Sequence, residues 1–392
     1  MLDKLIRNID RHKQDLRKLS DTLWKNPETA YNEHLAVAEV ASLLESKGFT
    51  VIRPYCGIET AFRCEFDNGT GPVFAVASEY DALPEIGHGC GHNLICAAGI
   101  AAFLAVAELM KEENVPGKAV LLGTPAEEGG GGKVFMAERG CLEGVDAVIM
   151  VHPTTKCTPD MGSNANSGLE VIFHGKSSHA ASTPEKGINA LDAVNLLFTG
   201  VNTFRQYIPE HARIHGVILE GGLVPNVIPD RARCRFYLRT AVESWAPVLE
   251  QRFRDIVKGA ELMTGATSEI APFRPPYRAR KPNCTMNHEY IDCMKRQGVS
   301  VFIPEKAGRG SSDFGNFSQL IPGIHAYFNI AADSEPAGHS AEMAEAARGD
   351  YGFENAMRAA ASQAHVMWRF MTEEKFRESV KADFNDPNAK PW

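Results

Sequence analysis

The sequence predicts an α/β protein with a largely parallel sheet and a second, inserted α+β domain. Short apolar runs rich in Val, Ile and Ala alternate with longer helical stretches in the first part of the chain and again near its end. This is the pattern of a sheet covered by helices. The middle of the chain instead alternates apolar and polar residues along its strands. We therefore expect a three-layer domain from residues 1–166 and 275–392, and a smaller domain from 167–274.

Four apolar runs are predicted to be buried strands of the first domain. They are VFAVAS (73–78), KAVLLGT (118–124), DAVIMV (146–151) and IHAYFNIA (324–331). A long apolar helix is predicted from about His92 to Met110. An amphipathic helix is predicted at the N-terminus, where apolar residues recur at helical spacing, namely Leu2, Leu5, Ile6 and Ile9.

The middle block has the order β-α-β-β-α-β, which is the ferredoxin-like pattern. Its predicted elements are LEVIFHGK (169–176), a helix at 190–207, RIHGVILEGG, RCRFYLRT, a helix at 245–263 and TSEIAP. The Pro-rich run APFRPPYRARKP (271–282) is then predicted to return the chain to the first domain.

Composition argues against several classes of function. The 392 residues carry a formal net charge of −8, from 41 basic and 49 acidic residues, which disfavours nucleic acid or an anionic membrane as the main partner. We expect no segment to approach the roughly 20 apolar residues that span a bilayer. The nine cysteines are scattered and odd in number, so we expect reduced thiols and a cytosolic protein.

Residues of types that can bind metal ions follow each predicted strand of the first domain. They are Glu79, Asp81, His88, Cys90 and His92 after the first strand, Glu127 and Glu128 after the second, His152 after the third and His339 after the fourth. Open α/β sheets bind ligands at the carboxyl ends of their strands. Thiol, imidazole and carboxylate groups would therefore gather at one edge, and these are the ligands of zinc and related metals.

Glu127 and Glu128 are adjacent carboxylates on a glycine-rich loop. They repel each other unless a cation lies between them, and in a catalytic metal site one can bind the ion while the other handles protons. Taken singly, these features have simpler explanations: EEGGGGK could be a solvated loop, and Cys90 an inert buried thiol. A phosphate loop is excluded, because GGGGK lacks the following Ser or Thr and the Gly-x4-Gly-Lys spacing.

Several motifs resemble the M20 metallopeptidases, in particular the amidohydrolase branch with its Cys-Gly-His motif. They are GHGCGHN (87–93), TPAEEGGGGK (124–133), VHP (151–153), NPETAYNEH (26–34), EYDALP (79–84), GKSSHAAS (175–182), NVIPD (226–230) and SSDFGNFS (311–318). The last looks most like the subset of Xaa-Arg dipeptidases and aminobenzoyl-glutamate hydrolases. The resemblance implies a zinc-exopeptidase-like catalytic domain with a lid, and hydrolysis of an amide bond in a dipeptide or an N-acyl or aminobenzoyl amino acid.

The resemblance also implies two divalent metal ions, zinc in the first place, with manganese, cobalt or nickel as alternatives. The implied ligands are Cys90, His92, Glu128, His152 and His339. Glu127 would be the general base, and Asp81 would orient a ligand. Asn93 stands where much of the branch has aspartate, a departure that bears on the charge and occupancy of the second metal position.

The inserted domain resembles the lid through which members of this family form homodimers. His179 would reach the active site of the partner and stabilise the oxyanion; without the resemblance it would be read as a surface histidine. Asn226 would contact the substrate. Arg239 would bind the carboxylate of the substrate, or would only hold a strand edge.

Two other classes of function stay open from the residues alone. One is a non-catalytic, metal-stabilised binding protein, but a structural zinc site has a closed set of four ligands and no spare carboxylate. The other is a cysteine hydrolase that uses Cys90 with His92 or His88. That chemistry needs a thiolate and an imidazole in facing geometry, which residues two apart on a turn rarely supply.

Overall fold

The structure is a computed structural model that describes residues 1–306, 310–332 and 334–392. The chain divides into two units. The first contains Met1–Gly162, the stretch 281–306 and Asp313–Trp392, and the second consists mainly of Ser163–Arg280. The second unit begins before the expected boundary at 167 and continues past the expected boundary at 274.

The strands of the described residues form two sheets. In chain order they are β1 (Val51–Ile52), β2 (Phe62–Asp67), β3 (Val73–Ser78), β4 (Lys118–Gly123), β5 (Ala147–Thr154), β6 (Ala165–His174), β7 (Ala212–Glu220), β8 (Arg231–Thr240), β9 (Thr267–Pro272) and β10 (Gly323–Asn329). The first unit holds the sheet β1-β2-β4-β3-β5-β10, and the second holds β7-β8-β6-β9. In the larger sheet the pairs β4–β3, β3–β5 and β5–β10 are parallel, and the other two pairs are antiparallel.

Helices cover both faces of the larger sheet. The α-helices in chain order are α1 (Leu2–Lys25), α2 (His34–Ser46), α3 (His92–Glu112), α4 (Gly132–Glu138), α5 (Ala190–Phe204), α6 (Ala246–Thr264), α7 (Cys284–Arg296), α8 (Phe314–Ser318), α9 (Ala341–Arg348), α10 (Asp350–Thr372) and α11 (Glu374–Asn385). Helices α1, α3 and α10 pack together on one face, and α4 and α8 pack together on the other. The three-layer α/β architecture is therefore confirmed.

Strand β3 shows how the sequence produces these layers. Phe74 and Val76 join the core beneath α1, α3 and α10, while Ala75 and Ala77 join the smaller core beneath α4 and α8. Successive side chains of a strand point to opposite faces, so a strand covered on both sides is apolar at every position. The run VFAVAS meets that requirement and ends directly before Glu79.

Helix α3 contradicts one expectation from the sequence. An 18-residue window of this 21-residue helix has a mean hydropathy of 2.0, so the expectation that no segment approaches a membrane span was wrong. It is the one helix of the described residues that is long and apolar enough, and 94% of that window is buried within the protein. Buried core helices share this composition because they are apolar on all sides.

The second unit has the predicted β-α-β-β-α-β order, with every neighbouring pair of strands antiparallel. Helices α5 and α6 cover one face of its sheet, over a core that includes Phe173 and Phe236. Strand β8 alternates between buried and half-buried residues, as expected for a sheet with one covered face. Strand β7 lies at the edge and exposes Val217, Ile218 and Leu219.

An ion pair between α7 and α10 shows how charge is accommodated near the core. The Glu289 carboxylate lies 2.9 Å from Nδ1 of His365 and also pairs with the guanidinium of Arg369. Burial opposes the ionisation of Glu289, but hydrogen bonds and charges from these two partners outweigh it and lower its pKa to about 2. The ionised carboxylate therefore stabilises the folded state.

We expect Glu289→Gln to lower the free energy of unfolding near neutral pH by on the order of 2 kcal/mol. Because the folded pKa lies below the value of about 4.3 in an unfolded chain, the difference between the two proteins should persist above about pH 4.3 and shrink as the pH falls toward about 2. Urea unfolding across this range measures the difference. A difference that does not change with pH would contradict the ion pair.

Candidate metal centre and active site

The parallel strands bring polar residues to one edge of the larger sheet. Strands β3 and β4 end side by side, since Ser78 pairs with Gly123. Glu79 follows β3 directly, Glu127–Glu128 lie just beyond β4, and His152 lies near the end of β5. This is the edge at which open sheets bind ligands.

The first turn of α3 presents His92. Gly91, which precedes it, has a φ of +70°, a left-handed conformation that glycine adopts without strain. A Cβ atom at Gly91 would lie 2.8 Å from Cγ of Pro153, so the close approach of this turn to β5 also requires glycine. As a result the rings of His92 and His152 lie 5.7 Å apart, centroid to centroid.

Asp81 connects two of the predicted metal ligands. One of its oxygens lies 3.0 Å from Nδ1 of His92, and the other accepts a hydrogen bond from the backbone N–H of Glu128 at 2.9 Å. A carboxylate on Nδ1 of a metal-binding histidine fixes the tautomer and directs Nε2 toward the ion. These are the contacts that the orienting role predicted for Asp81 requires.

One group of donor atoms joins Cys90, Glu128 and His339, all within 4.8 Å of one another. Oε1 of Glu128 lies 3.7 Å from Nε2 of His339 and 3.9 Å from Nε2 of His92. The side chain of His339 is 59% exposed, whereas Cys90 and Glu128 are half-buried. The group is therefore accessible to solvent on the side of His339.

A second region of donor atoms centres on His92. Glu127 and Glu128 form one set with it, and Glu79 and His152 form another, each within 4.8 Å. Because Glu128 and His92 each belong to two sets, the arrangement can hold two neighbouring ions with shared ligands. The structure thus brings together all five side chains that the resemblance implies as ligands, and their binding of metal stays a prediction.

The negative charge of the cluster calls for a cation. Burial lowers the pKa of His92, but Asp81, Glu79 and Glu128 outweigh it and raise that pKa to about 10. Burial, Glu79 and Glu128 also hold the pKa of Glu127 well above its usual range. These carboxylates therefore favour a positive charge at the site, and a divalent ion is one such charge.

The donor atoms suit zinc or a related divalent ion. Oε2 of Glu79 and Nε2 of His92 are buried, and neither has a hydrogen-bond partner among the described residues. They lie 3.5 Å apart, close to the roughly 3.4 Å between two ligands of a tetrahedral ion with bonds of about 2.1 Å. Together with the neighbouring thiol, imidazoles and carboxylates, these atoms fit the implied metals.

The loop that carries Glu127 and Glu128 is held in an unusual conformation. Ala126 has a φ of +61°, which is rare for a residue with a side chain. Its N–H donates to Oε1 of the buried Glu33 at 2.9 Å, and its carbonyl accepts from the N–H of Gly131 at 2.7 Å. Such strain persists where the surroundings fix the backbone, so Glu33 helps to position the two carboxylates.

Three charged residues that the sequence did not single out as a group lie behind the site. The Lys133 ammonium is fully buried, 2.5 Å from Oε1 of Glu79 and 2.8 Å from Oδ1 of Asp313. The backbone N–H of Lys133 also donates to Oδ2 of Asp313 at 3.0 Å. The sequence did offer one indication that these three residues matter. Glu79 lies in EYDALP, Lys133 in TPAEEGGGGK and Asp313 in SSDFGNFS, and each of these segments resembles the family.

Asn93 faces the helical layer. Its amide nitrogen donates to Oγ of Ser20 at 2.9 Å and to the carbonyl of Ala347 at 3.0 Å. An aspartate at this position would place a carboxylate oxygen against the Ala347 carbonyl, so asparagine suits this pair of acceptors. The exchange of aspartate for asparagine therefore has a local structural reason.

The predicted lid residues all belong to the second unit. His179 is exposed, and its Nδ1 accepts from the backbone N–H groups of Ala181 and Ser182, both at 3.2 Å. Asn226 lies next to it, since the N–H of Ala180 donates to the Asn226 carbonyl at 3.0 Å. The unit therefore places two predicted substrate-contacting residues side by side.

Arg239 lies on β8 and is half-buried. Its Nε is buried and has no hydrogen-bond partner among the described residues, and its guanidinium carbon lies 5.2 Å from the centre of the Tyr237 ring. The Nε atoms of Arg233 and Arg274 are likewise buried without a partner among the described residues, so both roles of Arg239 stay predictions.

The geometry does not support a cysteine nucleophile. Burial and the carboxylate of Glu128 raise the pKa of the Cys90 thiol far above its usual range, whereas nucleophilic cysteines need a lowered pKa. Nε2 of His88 lies 3.1 Å from the carbonyl of Leu23, and burial lowers the pKa of His88 to about 4. All nine cysteines of the chain are free.

Comparison with known proteins establishes the family. The model of Peptidase family M20/M25/M40 matches residues 75–360, which is more than half of the chain. This chain therefore belongs to that peptidase family, and it is a hydrolase.

Individual relatives agree with this assignment. The Xaa-Arg dipeptidase of Mus musculus is 36% identical over 96% of this chain and 90% of its own length. A p-aminobenzoyl-glutamate hydrolase chain of Escherichia coli (strain K12) is 35% identical over 76% of this chain and 66% of its own length. The resemblance stated from the motifs is confirmed.

Solved structures share the fold. An aminohydrolase from methicillin-resistant Staphylococcus aureus has a TM-score of 0.82 at 20% identity, covering 95% of this chain and 100% of that chain. A dinuclear metal binding peptidase of the M20 family from Bacillus subtilis has a TM-score of 0.67 at 20% identity, covering 91% and 99%.

Proposed function

We propose that this chain hydrolyses the amide bond of a dipeptide or of an N-acyl or aminobenzoyl amino acid, using two divalent metal ions. The observation that carries the proposal is the difference in surroundings between the adjacent carboxylates of Glu127 and Glu128. Glu128 faces His92 and His339, while Glu127 lies beside them among negative charges. The names of the two relatives, a dipeptidase and an aminobenzoyl-glutamate hydrolase, support the substrate class.

Five side chains would hold the ions, namely Cys90, His92, Glu128, His152 and His339. Zinc is the first candidate, and manganese, cobalt and nickel accept the same donors. The description of the Bacillus subtilis relative as dinuclear supports two ions. When bound, such ions supply Lewis-acid activation of water and of the substrate carbonyl.

Glu127 would accept the proton of the attacking water and return it to the leaving amine. Burial and neighbouring carboxylates raise its pKa, and a bound cation acts in the opposite direction. A carboxyl group subject to both influences can accept a proton in one step and donate it in the next.

Arg239 would bind the carboxylate of the substrate, and we expect Arg239→Ala to raise KM by about 10- to 100-fold, since hydrogen bonds to charged groups contribute about 1.5–3 kcal/mol. Steady-state kinetics on a free dipeptide and on its C-terminal amide measure the effect. The amide should lose little, because it lacks the negative charge. The matched control is Arg235→Ala on the same strand, whose guanidinium is already paired with Glu170 at 2.6 Å. Equal losses for both variants would contradict the role of Arg239.

The second unit would form a homodimer through the edge of its sheet, with His179 stabilising the oxyanion in the site of the partner. Strand β7 leaves one edge unpaired within the described residues, and Val217, Ile218 and Leu219 are exposed along it. Long apolar edge strands favour pairing with another chain. Light scattering should give the mass of a dimer, and a monomer at micromolar concentration would contradict this part of the proposal.

The experiment that tests the function is a hydrolysis screen of dipeptides and N-acyl amino acids, with metal content measured on the same sample. We expect cleavage of at least one amide class by protein that carries divalent metal. A metal-stabilised binding protein would instead unfold on chelation and cleave none of these amides, and that outcome would overturn the proposal.

A further inference from the structure

The two carboxylate oxygens of Glu79 have different surroundings. Oε1 lies 2.5 Å from Nζ of Lys133. Oε2 lies 3.5 Å from Nε2 of His92, and it has no hydrogen-bond partner among the described residues. The side chain is fully buried. Buried carboxylate oxygens are rarely left without a donor, so the surroundings of Oε2 need an explanation.

We propose that Glu79 is an additional metal ligand, binding a divalent ion through Oε2 together with His92 and His152, while Oε1 remains on Lys133. The inference rests on the metal-dependent function proposed above, and it adds a sixth ligand to the five implied by the resemblance. Donor atoms of Glu79, His92 and His152 lie within 4.8 Å of one another, so a small inward movement brings all three within bonding distance of one ion with bonds of about 2.0–2.2 Å.

The orientation of His92 supports this assignment. Its Nδ1 lies 3.0 Å from Oδ1 of Asp81, so Nδ1 carries the ring proton when the imidazole is neutral. Nε2 then presents a lone pair toward two electron-rich atoms, Oε2 of Glu79 at 3.5 Å and Oε1 of Glu128 at 3.9 Å. With the ring neutral these atoms repel one another, and a metal ion between them would remove that repulsion.

The contacts of Lys133 leave one oxygen of the Glu79 carboxylate available for a metal ion. Two buried carboxylates, Glu79 and Asp313, flank one ammonium, so by formal charge the group has one more acidic than basic member. Asp313 uses both oxygens on Lys133, one on Nζ and one on the backbone N–H. Glu79 uses only one, and the negative charge is therefore available on the side of His92.

If Glu79 did nothing but pair with Lys133, replacing it should affect zinc binding no more than replacing Asp313 does, and this provides a matched control. Glu79→Gln and Asp313→Asn each remove one carboxylate charge from Lys133, but only Glu79→Gln changes the oxygen that faces His92. Metal-free proteins prepared with a chelator would be titrated with Zn²⁺ in competition with a chromophoric chelator. Circular dichroism would verify that all three proteins are folded.

We expect two zinc sites in the wild-type protein. In Glu79→Gln, one of the two should weaken at least about tenfold, because even the loss of a residue that only supports a ligand costs about 10- to 100-fold. In Asp313→Asn both affinities should stay within about threefold of the wild type. The Co²⁺-loaded forms should show the same contrast in their visible absorption bands, which report on the ligands themselves.

Equal zinc affinities and Co²⁺ spectra for the two variants would overturn this inference, because Glu79 would then only pair with Lys133. Wild-type protein that binds no zinc would instead overturn the metal-dependent function as well. Should Glu79→Gln not fold, Glu79→Asp serves in its place. Its shorter side chain cannot reach both Lys133 and the ion, so the same loss at one site is expected, and unchanged zinc affinity would count against the inference.

Discussion

Replacement of Lys133 with methionine is expected to lower the free energy of unfolding by about 3–5 kcal/mol, the usual cost of removing one partner from a buried ion pair. Methionine has a similar length but no charge, so the carboxylates of Glu79 and Asp313 would be left buried without a cation. Urea unfolding of the metal-free protein measures this loss directly.

Two controls isolate the charge effect at Lys133. The double variant Lys133→Met/Glu79→Gln should recover part of the loss, because it removes one of the two stranded charges. Lys118→Met removes an exposed partner of Asp67 and should change stability little. A Lys133→Met protein as stable as the Lys118→Met protein would show that the buried triad does not have the charge state described above.

The second large effect is expected for Glu127→Gln, which should reduce kcat by about 10²- to 10⁴-fold, the typical contribution of a general acid–base group. Glutamine retains the size and hydrogen-bonding capacity of the side chain but cannot accept the proton of a water molecule. Initial rates on the best amide substrate, with metal content determined on the same preparation, measure the effect.

Glu128→Gln provides the contrasting variant, because Glu128 is a proposed ligand. It should lose bound metal together with activity, whereas Glu127→Gln should retain the metal of the wild type. Turnover near that of the wild type in Glu127→Gln, or equal metal loss in both variants, would show that the roles of the two carboxylates are assigned incorrectly.

The architecture could be predicted because it depends on local patterns. VFAVAS reads as a strand that is covered on both faces, and its side chains do divide between two cores. The ferredoxin-like order of the second unit followed from alternation along its strands in the same way. For α3 the apolar composition was visible, but its length and hydropathy were underestimated.

The candidate ligands could be located because parallel strands end at one edge of a sheet. Cys90, Glu128 and His339 come from three distant segments and nevertheless lie within one cluster. The family resemblance added roles to these positions, including that of His339, whose short motif is not distinctive. The resemblance implied that Asp81 orients a ligand, but neither source indicated that it would contact both His92 and the backbone N–H of Glu128.

Buried charges were the part that the sequence could not reveal. Glu79, Lys133 and Asp313 come from three distant segments, and each could equally be a solvated surface residue until its tertiary partners are known. Glu33 is a similar case, since its contact with the strained Ala126 depends on how α2 meets the loop after β4. For His179, Asn226 and Arg239, their place near a substrate stays a prediction.

Removal and return of metal tests the central claim most directly. Protein stripped with a strong chelator, verified to be metal-free and folded, should hydrolyse the best dipeptide or N-acyl amino acid at a rate indistinguishable from the background. Stoichiometric Zn²⁺, Mn²⁺, Co²⁺ or Ni²⁺ should restore turnover, with saturation near two equivalents per chain. Unchanged turnover in the metal-free protein would contradict the account.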